Sequence, residues 1–139
     1  MTEATATKPA QITDAPIHPS LAVVDIAKAR DWYADKLGWE PTREPEGTVV
    51  YVLDSGSAFT LYESEFAGTA KNTVMNWVVA DVRAEVDRLR GNGVVFEEYD
   101  FGDGDKTVGG ILTDAPSGAA SAWFKDSEGN ILAIAEDLT

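Results

Sequence analysis

An α+β fold of two tandem βαβββ modules, with both helices outside a curved, mostly antiparallel sheet, is what this sequence predicts, on three observations. The order of strand and helix patterns over residues 16–65 recurs over residues 72–137. Each expected helix is preceded by an aspartate at the N-cap position, Asp25 or Asp81, and is closed by glycine. The stretches "LDSGSAFTLYE" and "KDSEGNILAIAE" share a plan of strand, Asp-Ser, glycine turn and strand, with Asp54 matching Asp126. Internal repetition sets the architecture, and a module of this size buries too little surface to stand alone, so the two are expected to share one core.

Residues 1–15, rich in Thr, Ala and Pro and without an apolar h-region, read as a flexible leader rather than a secretory signal, ahead of a single two-repeat domain over 16–139. Residues 17–25, which include "HPSLAVVD", alternate as a strand does and contain the only histidine, His18. In "IAKARDWYADKL", Ile26, Ala29, Tyr33 and Leu37 recur at helical spacing before Gly38. "TVVYVLD" and "SAFTLYE" form an expected hairpin across Ser55 and Gly56. The second module opens with the strand "TVMNWVVAD". Its helix, "VRAEVDRLRGNG", places Val82, Val86 and Leu89 on one face, and two strands follow in "SAWFKDSEGNILAIAED". The insertion at 100–117 has acidic positions 100, 103 and 105, but it lacks the alternating pattern and distal glutamate of a calcium loop. A mobile or hairpin-forming loop over a pocket mouth is the expectation there.

Composition excludes several functions. With 11 basic against 24 acidic residues the net charge is −13, the wrong sign for nucleic acid or an anionic membrane surface, though an acidic field attracts cationic ligands. The absence of cysteine removes disulfides, thiolate metal sites and cysteine nucleophiles. No run approaches a membrane span, and a cytoplasmic location is the default expectation. Neither a phosphate-binding glycine loop nor a serine nucleophile elbow is present.

"HPSLAVVDIAKARDWYADKLGW" and "AWFKDSEGNILAI" resemble the opening and closing motifs of the vicinal oxygen chelate superfamily, which includes glyoxalases, bleomycin resistance proteins and extradiol dioxygenases. The likeness covers about residues 16–137. It implies a sheet curved around a cavity and, in metal-using members, four ligand positions. In this sequence they fall on His18, Thr60, at or beside Met75, and Ala133. Only the histidine is a conventional ligand for a divalent transition metal, so no metal and no cofactor are expected.

Strand alternation, with His18 taken as inward, turns Ser20, Thr60, Tyr62, Met75, Trp77 and Ala133 toward the same cavity. These seven are the expected ligand-binding residues, while no catalytic residue is identifiable. Tyr51 and Trp123 either extend that wall or fill the core. The expected function is binding or sequestration of a planar organic compound, a cationic one being favoured by the acidic balance, by a homodimer. The alternative is a lyase, isomerase or dioxygenase of the same superfamily type with an atypical or absent metal site, with His18 or a pocket carboxylate as acid/base where no metal is held.

Overall fold

The computed structural model describes residues 11–137. Positions 1–10 of the expected leader lie outside them, and Ile12–Asp14 forms an exposed 3-10 turn. No helix among the described residues is long and apolar enough to cross a membrane.

The first module runs β1 (Ser20–Val23), α1 (Ile26–Trp32), β2 (Thr48–Val52) and β3 (Ala58–Glu63). β1 pairs parallel with β3, and β2 pairs antiparallel on its other side, giving the order β1-β3-β2. The remaining strand of the βαβββ plan is reduced to a bridge between Arg43 and Val50. The second module repeats the plan with β4 (Thr73–Val78), α2 (Val82–Gly91), β7 (Ile111–Thr113), β8 (Ala120–Lys125) and β9 (Ile131–Ala135), in the order β4-β9-β8-β7. Here too the first strand pairs parallel with the last, and the other pairs are antiparallel. A two-stranded hairpin, β5 (Asp100–Gly102) and β6 (Asp105–Lys106), stands inside the insertion where a hairpin-forming loop is expected.

Both helices begin as their aspartates predict. The Asp25 carboxylate accepts from the Lys28 N–H at 3.0 Å, and that of Asp81 from the Ala84 N–H at 3.1 Å. α1 continues into one π-helical turn, Tyr33–Leu37, and stops at Gly38, whose φ of 78° a residue with a Cβ adopts at a cost. The buried face of α2 is Val82, Val86 and Leu89, as its spacing requires. Each such side chain contributes about 1.5–3 kcal/mol on full burial against roughly 1 kcal/mol for a cap. Packing therefore dominates the stability of α2.

One core lies between the sheets and the helices and spans both modules. Trp77 of β4 stands 5.3 Å from Trp39, 6.2 Å from Phe59 and 6.3 Å from Phe124 between ring centroids. A polar latch joins the modules as well. Buried Asp126, in the β8–β9 turn, accepts from the Tyr33 hydroxyl of the first module at 2.8 Å, and Asn130 donates to the Ala22 carbonyl at 2.9 Å. The Tyr51 hydroxyl, buried without a partner among the described residues, is pushed up to about 12 by burial, with Glu44 and Glu40 adding to the shift.

Candidate functional site

The helix-free face of the second sheet is built in three rows across its strands. Thr73, Ile131 and Lys125 form the first; Asn76, Ala133 and Trp123 the second; Val78, Ala135, Ser121 and Leu112 the third. Paired residues share a face, so Ala133, Ala135 and Ser121 make a low floor from which the Trp123 indole rises. Its Nε1–H donates to the Thr73 hydroxyl at 3.1 Å, which fixes the ring across β9.

Two further rings reach Trp123 from the segment that leads into the hairpin. Tyr99 lies 5.6 Å from it, Phe101 5.8 Å, and the two are 5.9 Å apart, at the tilted and edge-on angles that aromatic groups prefer. The hairpin turns on Asp103 and Gly104, with φ of 55° and 83°, the positive pair that Asp-Gly supplies in a two-residue turn. A register shift between Asp100 and Gly102 places a bulge at Phe101, the kind of irregularity that re-aims a side chain.

Buried Thr107 holds the hairpin's base: its hydroxyl accepts from the Tyr99 N–H at 2.8 Å and donates to the Glu98 carboxylate at 2.6 Å. The Gly110 N–H also donates to Glu98, at 3.0 Å. Together these bonds, Thr107's first, hold the Glu98 carboxyl below the usual carboxylate range. The Ser117 hydroxyl and N–H do the same for Asp114. A carboxyl depressed in the folded state stabilises it above the ordinary value and loses that contribution as pH falls through the lowered one. Hydrogen-exchange protection factors at Tyr99 and Gly110 are therefore expected to fall in acid and to stay constant from neutrality upward. Loss on raising the pH would contradict this.

The aromatic wall divides two open cavities. One, of about 630 Å³, is bounded by the inter-module linker, Trp123, Lys125 and the β8–β9 turn. The other, of about 600 Å³, lies on the far side of Trp123 and Phe101, toward Leu112 and Ser121.

The expected binding set is distributed over both sheets. Ser20, Thr60 and Tyr62 share the helix-free face of the first sheet, as alternation requires, and Ala133 that of the second. The inward orientation expected for Met75 and Trp77 is corrected: both point into the core, and Asn76 takes the outward position instead. The cause is the register shift between Thr73 and Met75, which inserts Val74 and inverts the faces beyond it. His18 is exposed, two residues before β1, and its neighbours Ile17 and Pro19 line a cleft of about 430 Å³ with Met75, Asn76 and Trp77. Tyr99 and Phe101 are not legible as site residues in the sequence, because they lie in and beside the insertion, outside the internal repeat.

The four positions at which the superfamily resemblance places metal ligands fall on His18, on Thr60, at or beside Met75, where Asn76 is the outward residue, and on Ala133. One imidazole, a hydroxyl, an amide and a methyl do not fit a transition metal. Among the described residues no three His, Asp or Glu side chains are grouped to hold one elsewhere.

Residues 15–134 match the sequence model of the Glyoxalase/Bleomycin resistance protein/Dioxygenase superfamily. Comparison with curated proteins finds no match. Among solved structures, a glyoxalase/bleomycin resistance protein from Catenulispora acidiphila is 26% identical, with 88% of this chain and 97% of that one covered and a TM-score of 0.65. A glyoxalase family protein from Enterococcus faecalis is similar in fold at 16% identity, with coverage of 91% and 100% and a TM-score of 0.66. So is a fosfomycin resistance protein from Listeria monocytogenes, at 14% identity, coverage of 89% and 93% and a TM-score of 0.61.

Proposed function

This chain belongs to the Glyoxalase/Bleomycin resistance protein/Dioxygenase superfamily, and within it we propose that the protein binds or sequesters a planar organic compound, without a metal, on the helix-free face of its second sheet. The observation that carries this reading is the cluster of Trp123, Tyr99 and Phe101 beside a cavity of about 630 Å³, a volume that accommodates a drug-sized molecule. Large rings over a floor of small side chains favour stacking on a flat ligand. Lyase, isomerase or dioxygenase chemistry of the metal-dependent kind has less support, because Thr60, Asn76 and Ala133 offer no ligand set. The net charge of −13 draws cationic compounds at long range, whereas the cavity's own lining mixes Lys71 and Lys125 with Glu97.

A thermal-shift screen of flat aromatic compounds identifies ligands by their mass-action stabilisation. For any that bind, Trp123→Ala is expected to weaken affinity by about 1–3 kcal/mol, the scale of a lost aromatic anchor. Trp77→Ala is expected to lower stability instead. Affinity untouched by Trp123→Ala would refute the site.

The protein is also proposed to act as a homodimer. Val52 and Tyr62 on the first sheet and Val78 on the second leave apolar surface exposed on the helix-free faces, where a second copy would cover it. Sedimentation velocity at micromolar concentration is expected to show a dimer, and a monomer throughout would exclude it.

A further inference from the structure

Basic residues are scarce in this chain, 11 against 24 acidic ones, yet the cavity of about 630 Å³ beside Trp123 is lined by two lysines, Lys71 and Lys125, and by a single carboxylate, Glu97. We infer that the ligand's planar ring system carries an anionic substituent, a carboxylate, sulfonate or phosphate, held by the ammonium groups of Lys71 and Lys125. The inference rests on the aromatic-site reading above and adds the charge and orientation of what binds there.

Three observations carry it. Trp123 and Lys125 sit two residues apart on one face of β8, which separates them by about 7 Å along the strand. A bicyclic ring stacked on Trp123 therefore brings a substituent on its far edge to the Lys125 ammonium. Lys71 enters from the linker two residues before Thr73, the residue in the same row as Lys125 across β9. It makes no ion pair among the described residues, and Lys125 reaches Glu97 only at 3.7 Å with half of its side chain exposed. The Lys71 ammonium is thus open to an anion, and that of Lys125 would exchange its long pair with Glu97 for one.

The second cavity, across the Trp123 and Phe101 wall, has the opposite character, with Asp105 and Asp114 in its lining and no basic side chain. An anionic group is admitted on the lysine side and repelled on the other, so the two sides give a ring one orientation. The overall negative charge opposes an anion at a distance, but physiological salt screens that field beyond about 8 Å. At contact range the lysines prevail, and the long-range repulsion is left to slow association.

The experiment is calorimetric titration of the full chain with three ring-matched probes: naphthalene-2-carboxylate, its neutral carboxamide, and 2-naphthylmethylammonium. The carboxylate is expected to bind about five-fold tighter than the carboxamide at low salt, the scale of exposed charge pairs, with the gap narrowing as salt is added. Lys71→Gln with Lys125→Gln is expected to reduce the carboxylate to the carboxamide's affinity. Equal binding of the three probes, tightest binding of the ammonium, or a carboxylate preference that survives the double substitution overturns the inference and leaves the aromatic site standing. If no probe binds, the aromatic-site reading falls and the inference falls with it.

Discussion

Replacing Asp126 with alanine is expected to lower the unfolding free energy by about 3–4 kcal/mol. Its buried carboxylate accepts four hydrogen bonds: the Glu128 N–H at 2.9 Å and the Asn130 N–H at 3.0 Å on Oδ1, the Tyr33 hydroxyl at 2.8 Å and the Asn130 amide at 3.0 Å on Oδ2. Bonds to a charged acceptor are each worth about 1.5–3 kcal/mol, and truncation also strands buried donors, which carries a separate cost. The Tyr33 hydroxyl belongs to the first module, so the loss reaches both halves. Desolvation first, and then the carboxylate, raise the Tyr33 pKa well above its ordinary value, which keeps the phenol a donor. Asp54, the matching aspartate of the first module, is exposed, and Asp54→Ala is expected to change stability by less than about 0.5 kcal/mol. Urea unfolding of the two variants distinguishes them, and equal midpoints would show that the latch carries little.

Gly68→Ala is expected to destabilise the fold by about 2–4 kcal/mol. Gly68 has φ of 71°, in the linker where it crosses the β8–β9 turn, and a Cβ there would overlap the Glu128 carbonyl oxygen. That neighbour is backbone and cannot swing aside as a side chain would. Gly56, in the β2–β3 turn, supplies the comparison, because its φ is 96° but nothing lies within 4 Å of the Cβ it would carry. Gly56→Ala therefore bears only the conformational cost, about 1–2 kcal/mol. Thermal melts showing the two variants equally affected would remove the close approach as the cause.

Features set by local chemistry are legible in the sequence. Asp25 and Asp81 cap their helices, the α2 face is Val82, Val86 and Leu89, and the glycine turns fall where the repeat puts them. The first sheet's alternation is regular, so Ser20, Thr60 and Tyr62 face the side expected of them. Features that depend on register are lost. One inserted residue, Val74, reverses Met75 and Trp77, and nothing in "TVMNWV" marks it, since a Val, a Met and a Trp suit either face. Trp123 was ambiguous for the same reason, as it neighbours the fully buried Phe124 and only the pairing with Ala133 decides its side. The aromatic site escaped because Tyr99 and Phe101 belong to a stretch with no counterpart in the first module. Their relation to Trp123 exists only after the hairpin folds back.

The two faces of β8 divide the protein's optical signals. Trp32, Trp39 and Trp77 pack against the core, with Trp39 and Trp77 only 5.3 Å apart, so their emission and near-ultraviolet dichroism follow the integrity of the fold. Trp123 alone stands on the opposite face, its indole bonded to Thr73 and touched by Tyr99 and Phe101. A chain with Trp123 replaced by phenylalanine is then a fluorometer for unfolding only, and the difference between its spectrum and that of the parent isolates a single chromophore at the mouth of the cavity.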